Sequence, residues 1–112
     1  MKINTQQDNG VYTLFLEGEV DASSSIVLDK AIQEALDKQQ FNLLVNCHQL
    51  RYISSAGLGV FLAYFDNISK QKGKLVFSNM KPSIYETFRL LGLSQIFTIE
   101  NTTDEALKHF TL

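Results

Sequence analysis

Cysteine, proline and tryptophan are almost absent from this sequence of 112 residues, which has one, one and none of them respectively. Because Cys47 is the single cysteine, no intramolecular disulfide can form, and no Cys/His cluster has the spacing of a metal site. We therefore expect neither a metal nor a cofactor. A reducing, cytoplasmic compartment is the simplest interpretation of this cysteine usage.

Long hydrophobic runs and strongly basic segments are also missing. The longest apolar stretch, 58–65, is far shorter than the roughly 20 residues that span a bilayer, and the first four residues contain no apolar signal core. Ten Lys and Arg against twelve Asp and Glu give a net charge of −2. The short apolar stretch predicts a soluble protein without membrane insertion. Nucleic-acid binding depends on neutralising many phosphates with Lys and Arg, so the charge balance predicts no direct nucleic-acid contact.

Apolar residues, by contrast, are plentiful at 45%, enough for one domain spanning 1–112. Strands are predicted over 3–7, 11–16, 41–47, 74–78 and 95–99, and helices around 28–36, over 55–71, over 82–91 and from 103 onward. The expected fold class is α/β, a small mixed sheet of four to five strands with about four helices packed on it. Asn9-Gly10 predicts a tight hairpin that supplies an antiparallel edge.

Residues 52–61 join an apolar strand to an apolar helix through two serines, Ser54 and Ser55. A serine there can cap the helix by accepting a hydrogen bond from an N–H of the first turn, and the positive end of the helix dipole also suits a phosphate. Position alone leaves both roles open. A serine nucleophile is disfavoured because there is no G-x-S-x-G elbow, and neither His48 nor His109 has an evident orienting carboxylate. We expect no enzyme activity.

The helix after these serines has two different faces. The positions spaced at i, i+3, i+4 and i+7, expected to face the core, are Leu58, Phe61, Leu62 and Phe65. The opposite face is small and weakly polar and consists of Ala56, Gly59, Val60, Ala63 and Asn67. That face is either a docking site for another protein or is covered by a neighbouring element of the same chain. Gly73 is expected to end the helix in the left-handed conformation.

Three further expectations concern the ends of elements. The acidic segment 17–21 predicts a solvated loop, because no partner is visible that would hold two carboxyl pKa values apart for acid/base work. His48 is expected in a loop at the surface. Thr102 and Glu105 predict a capping box that opens a terminal helix, with Leu107 and Phe110 facing inward.

Two stretches together resemble a known family. L-E-G-E-V-D at 16–21, followed by a helix, and Y-I-S-S-A-G-L-G-V at 52–60 are similar in order and spacing to the STAS domain of bacterial anti-sigma factor antagonists. The resemblance covers nearly the whole chain. Ser54 stands where many members have an aspartate, and Ala56 where many have a second hydroxyl residue.

The resemblance implies a regulatory binding protein. In this family an unphosphorylated antagonist binds an anti-sigma factor that is also a serine kinase, phosphorylation of a serine at the helix start separates the pair, and a serine phosphatase resets it. Carried onto this sequence, the acceptor is Ser55, with Ser54 as the second choice. The residues expected to contact the partner are Glu19, Asp21, Ser54, Ala56, Gly57, Gly59, Val60 and Ala63.

A second function is compatible with the same resemblance. Some STAS domains are fixed interaction subunits, for example of a lipid-transporting ATP-binding cassette complex. In such a subunit the turn at Ser54 and the helix that follows would dock constitutively, without a phosphate switch.

Overall fold

A computed structural model describes residues 1–111, in which five strands form one sheet in the order β1-β2-β3-β4-β5. The strands are β1 Lys2–Asp8, β2 Val11–Val20, β3 Asn42–Ile53, β4 Lys74–Ser78 and β5 Thr98–Glu100. The described residues form four α-helices, α1 Ser25–Asp37, α2 Ser55–Lys70, α3 Pro82–Leu90 and α4 Thr103–Leu107, and 3-10 turns at Leu93–Gln95 and Lys108–Phe110. The predicted α/β class, with its mixed sheet and four helices, is confirmed.

The antiparallel edge of the sheet is the N-terminal hairpin. Asn9 and Gly10 have φ angles of 51° and 80°, the left-handed backbone that a two-residue hairpin turn requires. β1 is antiparallel to β2, whereas β2, β3, β4 and β5 run parallel to one another. The carboxyl ends of β2 and β3 therefore lie at the same edge of the sheet, where α1 and α2 begin.

Both faces of the sheet are covered, but unequally. On β3, Leu43 belongs to the large cluster under α1, α2 and α3, while its neighbour Leu44 belongs to a smaller cluster under α4. Consecutive strand residues point to opposite faces, so β3 is buried on both, as its unbroken apolar run predicts. At the centre of the larger cluster, Phe77 makes edge contacts with Phe61 and Phe88 at centroid distances of 4.9 and 5.4 Å.

The central strands are longer than the sequence predicts. β2 continues to Val20, so the acidic segment is mostly strand and not a loop, and β3 continues to Ile53, so His48 lies on an exposed strand position and not in a loop. The reason is pairing between the two strands, since Glu17 pairs with Gln49 and Val20 with Ile53. Ladder hydrogen bonds stabilise polar residues that have little strand preference of their own.

The end of α2 also differs from the prediction. Lys72, with φ of 61°, adopts the left-handed conformation, and Gly73 does not. The N–H groups of Lys72 and Gly73 donate to the carbonyls of Ser69 and Ile68, which closes the helix. Gly73 is needed for a different reason: a Cβ there would lie 2.0 Å from the carbonyl oxygen of Phe41.

Smaller corrections concern the surface and the C-terminal part. Leu62 and Leu107, both predicted to face inward, are exposed. The last strand begins at Thr98 and not at residue 95, because a 3-10 turn follows the left-handed Gly92. Of the capping box predicted for α4, the N-cap is confirmed, since the Glu105 N–H donates to Thr102 Oγ1 at 3.1 Å. The Glu105 carboxylate accepts from the Thr102 hydroxyl, at 3.1 Å, and not from the Thr102 N–H.

Candidate functional site

The candidate site lies where β2 and β3 end side by side. Val20 and Ile53 are paired at the ends of the two strands, and the Ser54 N–H donates to the Val20 carbonyl at 2.8 Å. This bond fixes the chain just before α2 against the chain just before α1. Asp21 directly follows Val20, and Ser54 directly follows Ile53. These two residues are far apart in sequence, yet each comes immediately after one member of the same strand pair.

Ser54 is the N-cap of α2. Its backbone is extended, with φ of −85° and ψ of 171°, and its Oγ accepts a hydrogen bond from the Gly57 N–H at 3.3 Å. The Ser54 carbonyl accepts the first helical bond, from the Leu58 N–H at 3.0 Å. The Ser54 side chain thus satisfies one of the N–H groups that a helix start leaves without partners, that of Gly57.

Ser55 is the first residue of the helix and is exposed to solvent. Among residues 1–111 no hydrogen bond to its hydroxyl is found, in contrast to that of Ser54. The hydroxyl lies at the positive end of the dipole of a 16-residue helix, a position that favours anions. The structure therefore separates the two serines, one engaged in capping and the other accessible.

Gly57 lies beneath this turn and is buried. A Cβ at this position would lie 2.6 Å from Val20 Cγ1 and 2.9 Å from Ile53 Cγ1, so the first turn of α2 packs directly on the two strand ends. Among the residues predicted to contact a partner, Gly57 is the one that the structure withdraws from the surface. It positions the neighbouring exposed residues and does not present a surface itself.

The small face of α2 is open, and none of the elements that residues 1–111 form covers it. Ala56, Gly59 and Ala63 are exposed, and Val60 is half-buried. A Cβ built at Gly59 would have no atom within 4 Å, so no contact with the rest of the protein accounts for a glycine there. Leu62, 42% exposed, lies two helical turns after Ser55 on the adjoining side and extends this surface with an apolar side chain.

The acidic residues of the site have different roles. Glu19 is an exposed strand residue. Asp21 Oδ1 accepts hydrogen bonds from the N–H groups of Ser23 and Ser24, at 3.0 and 2.9 Å, and from the Ser23 hydroxyl at 2.8 Å. These bonds, chiefly that from the Ser24 backbone, lower the pKa of Asp21 to about 2. Asp21 therefore orders the turn into α1 as an ionised group and remains exposed.

Sequence reasoning did not single out Ile26, an exposed apolar residue of α1. It is 71% exposed in the first turn of α1, outside the regular core spacing of that helix. Ile26, Asp29 and Gln33 share one helical face, and that face approaches α2, because Tyr64 of α2 donates a hydrogen bond to Gln33 Oε1 at 3.2 Å. The signal available in the sequence was an isoleucine at a position of α1 outside its regularly spaced core residues.

The histidines are not part of the site. The prediction that neither has an orienting carboxylate is wrong for His109, whose Nε2 lies 2.6 Å from Glu100 Oε2. The His109 carbonyl accepts a hydrogen bond from Lys74, the first residue of β4, and this histidine stands beside the last strand. Within the described part of the chain no hydrogen bond joins a histidine to Ser54 or Ser55.

Residues 1–111 contain no group of three or more His, Cys, Asp and Glu side chains placed to hold a metal ion. The helices of the same range are too short or too polar to cross a membrane.

Comparison with known proteins agrees with this geometry. The family model for the STAS domain matches residues 2–106. The anti-sigma-B factor antagonist of Listeria monocytogenes is 27% identical, over 89% of this chain and 88% of that protein. An anti-sigma factor antagonist from Mycobacterium paratuberculosis has a similar crystal structure, with a TM-score of 0.88, 22% identity and coverage of 96% of this chain and 92% of the other.

A second similar structure is that of a phosphorylated protein. The Bacillus cell fate determinant SpoIIAA in its phosphorylated form has a TM-score of 0.75 and 19% identity, with coverage of 98% of this chain and 100% of the other. The family match spans both stretches, 16–21 and 52–60, that carry the resemblance seen in the sequence. The chain therefore belongs to the STAS domain family.

Proposed function

We propose that this protein is an anti-sigma factor antagonist that binds an anti-sigma factor with serine kinase activity and is released when Ser55 is phosphorylated. Membership of the STAS family and the antagonist role named for the Listeria relative support the proposal. The observation that carries it is the exposed Ser55 at the start of α2, directly beside an exposed face of small residues.

Ser55 suits phosphorylation because the helix does not depend on its hydroxyl. Ser54 already provides the cap, so a kinase can engage the Ser55 side chain without removing a hydrogen bond from the first turn. A phosphate in that position meets N–H groups and the positive end of the helix dipole. The phosphorylated helix start should therefore remain folded, and the switch acts on the surface.

The docking surface is the face formed by Ala56, Gly59, Val60 and Ala63. A partner can approach the α2 backbone closely along this face, because the side chains are small and Gly59 leaves open space. Ile26 on α1 and Leu62 on α2 would border it with exposed apolar side chains. Such a border supplies apolar area that a partner can bury.

Phosphorylation would weaken binding to this partner through the charge and the volume of the phosphate group. A phosphate adds about −1.5 to −2 charges at pH 7. Asp21, ionised down to a pH of about 2, and Glu19 lie at the end of the adjoining strand, so the new charge would join an acidic group. Acidic residues of the partner would be repelled, and the phosphate would stand at the head of the docking surface.

The test is phosphate transfer from the cognate anti-sigma factor and ATP, with the modified residue identified by mass spectrometry. We expect one phosphate on the wild type, none on Ser55→Ala, and one on Ser54→Asn, which keeps a side chain able to cap the helix. Equal labelling of Ser55→Ala and the wild type would exclude Ser55 as the acceptor. A serine phosphatase from the same system should remove the label.

The alternative is a non-switching STAS interaction subunit, for example of a lipid-transporting ATP-binding cassette complex. The face of α2 is exposed and complete without any modification, as both functions require. Purification with bound proteins from the native cell distinguishes the two functions. Transporter components that bind the wild type and Ser55→Glu equally support the alternative, whereas an anti-sigma factor that binds only unphosphorylated protein supports the switch.

A further inference from the structure

Strand β1 is an open edge of the sheet. In the sheet that the described residues form, β1 pairs with β2 on one side only, and six of its seven residues are exposed. The register with β2 runs without a bulge, and 3–7 contain neither a proline nor a charged residue. Natural sheets usually protect an edge with one of these features, because its free N–H and C=O groups can pair with another strand. Between its two ends β1 has no such protection.

The two charges of β1 are self-complementary. Lys2 is the first residue of the strand and Asp8 is the last. If β1 pairs antiparallel with a second copy of itself about a two-fold axis at Thr5, Lys2 of each copy lies opposite Asp8 of the other. Lys2 and Asp8 are six residues apart in a pattern of period two, so their side chains emerge on the same face. Both ion pairs then form on that face.

The remaining positions fit the same register. Ile3 lies opposite Gln7, Asn4 opposite Gln6, and Thr5 opposite Thr5 of the other copy, so no like charges meet. β5, at the opposite edge of the sheet, offers far fewer backbone groups for strand pairing, because it has only three residues. Pairing of β1 with β5 of another copy would be short, which favours a closed two-fold pair over an open chain of molecules.

We propose that β1 pairs with β1 of a second copy of this chain, giving a two-fold symmetric homodimer with one sheet running through both copies. The Ser55 surface is not used, since β2 lies between β1 and β3, the strand that leads into α2. The inference goes beyond the proposed function and does not depend on it. Each dimer would present two copies of the α2 surface.

A charge exchange tests the register. Sedimentation over a range of concentrations, on protein without an added N-terminal tag, should give a wild-type dimer of twice 12.7 kDa. Lys2→Glu and Asp8→Lys each place like charges opposite one another at both ends, and each should weaken dimerisation by about tenfold or more. The double variant Lys2→Glu/Asp8→Lys restores both ion pairs and should recover the dimer. Lys72→Glu, with the same charge change at the end of α2, should behave as wild type.

A cysteine scan tests the position of the axis. Thr5→Cys places two thiols directly opposite, with Cα atoms about 4.5 to 5.5 Å apart, within disulfide range. Gln7→Cys is the control, because residue 7 of one copy and residue 7 of the other are offset by four residues along the paired strands, a distance of roughly 13 Å. Under mild oxidation Thr5→Cys should cross-link and Gln7→Cys should not. The native Cys47 does not interfere, being buried with its pKa raised to about 12.

Three results would overturn the proposal. The first is a wild-type monomer at every concentration up to the solubility limit. The second is a dimer that neither single charge change weakens, or that the double variant fails to restore. The third is equal cross-linking of Thr5→Cys and Gln7→Cys, which would mean that the two strands meet without a fixed register.

Discussion

Ser54 and Ser55 are adjacent, yet the peptide between them passes from extended to helical backbone, and this change places their side chains in different surroundings. The extended Ser54 directs its oxygen back over the first turn to the Gly57 N–H, whereas Ser55, already helical, projects from the helix. Sequence position alone could not separate the two roles, because both serines precede the same apolar helix. The hydrogen bond at Ser54 separates them.

The cap gives the first prediction. Ser54→Ala removes the acceptor of the Gly57 N–H and should lower the free energy of unfolding by about 1 kcal/mol. Ser54→Asn should retain most of the stability, since asparagine is a good N-cap residue. Ser55→Ala, the matched control, should change it by less than about 0.5 kcal/mol. Urea denaturation measures all three, and equal losses for Ser54→Ala and Ser55→Ala would contradict the assignment of the cap.

Asp21 gives a prediction about pH. Its pKa in the folded protein is about 2, below the ordinary value of 3.8, because N–H and hydroxyl groups of Ser23 and Ser24 donate to the ionised carboxylate. A lowered folded pKa means that the stabilisation is complete above the unfolded pKa and is lost as the pH falls from about 4 through 2. The stability advantage of wild type over Asp21→Asn should therefore shrink across that range.

Titration of the Asp21 carboxyl carbon by NMR measures the same effect directly. Its midpoint should lie near 2 in the wild type and should rise in a Ser23→Ala/Ser24→Ala variant, which removes the two hydroxyl donors. A midpoint at the ordinary value for aspartate in the wild type would show that the turn is not held by this carboxylate in solution.

At the scale of elements, the sequence predicted those ends that are defined by local chemistry. Asn9-Gly10 marks the hairpin because both residues adopt positive φ, Pro82 occupies the first turn of α3, and Gly92 adopts the left-handed conformation after it. Each signal acts within a few residues. Such signals can be read from one segment without knowing what packs against it.

The ends that the sequence did not predict depend on distant residues. β2 extends to Val20 because β3 pairs with it there, and Gly73 is fixed by the approach of Phe41 and not by its own φ angle. Ile26 was missed for the same reason. Nothing in α1 alone shows that this helix packs beside α2, so the position of an exposed isoleucine on it could be judged only from the tertiary arrangement.

The two glycines of α2 provide a matched prediction at this scale. Gly57→Ala places a methyl group 2.6 Å from Val20 Cγ1 and should destabilise the protein by about 1 to 3 kcal/mol. Gly59→Ala meets no atom within 4 Å and should stabilise the helix by up to about 1 kcal/mol. Thermal or urea unfolding compares them. Equal effects of the two substitutions would contradict the close packing of the first turn on the strand ends.

For the whole molecule, the proposed switch requires a surface that changes charge on a fold that does not move. The site is held by the paired ends of β2 and β3, by the Ser54–Val20 hydrogen bond and by the buried Gly57, and none of these involves the Ser55 hydroxyl. A negative charge at Ser55 should therefore alter binding without altering the fold. Stability and affinity can be measured separately to test this.

Ser55→Glu is the variant for that measurement, and Ser69→Glu is its matched control near the other end of α2, where the residue is also exposed. The dipole favours a negative charge at the helix start and disfavours it at the end, by about 0.3 to 1 kcal/mol in either case. Ser55→Glu should thus be as stable as wild type or slightly more so, and Ser69→Glu slightly less.

Binding to the anti-sigma factor should follow the opposite order. Ser55→Glu should bind at least about tenfold more weakly, because the charge stands at the head of the docking surface, whereas Ser69→Glu should bind as wild type does. Calorimetry gives the affinities, and NMR spectra show whether shifts stay confined to the first turns of α2 and the strand ends. Loss of binding accompanied by loss of the folded spectrum would mean that the charge acts through the fold, contrary to this mechanism.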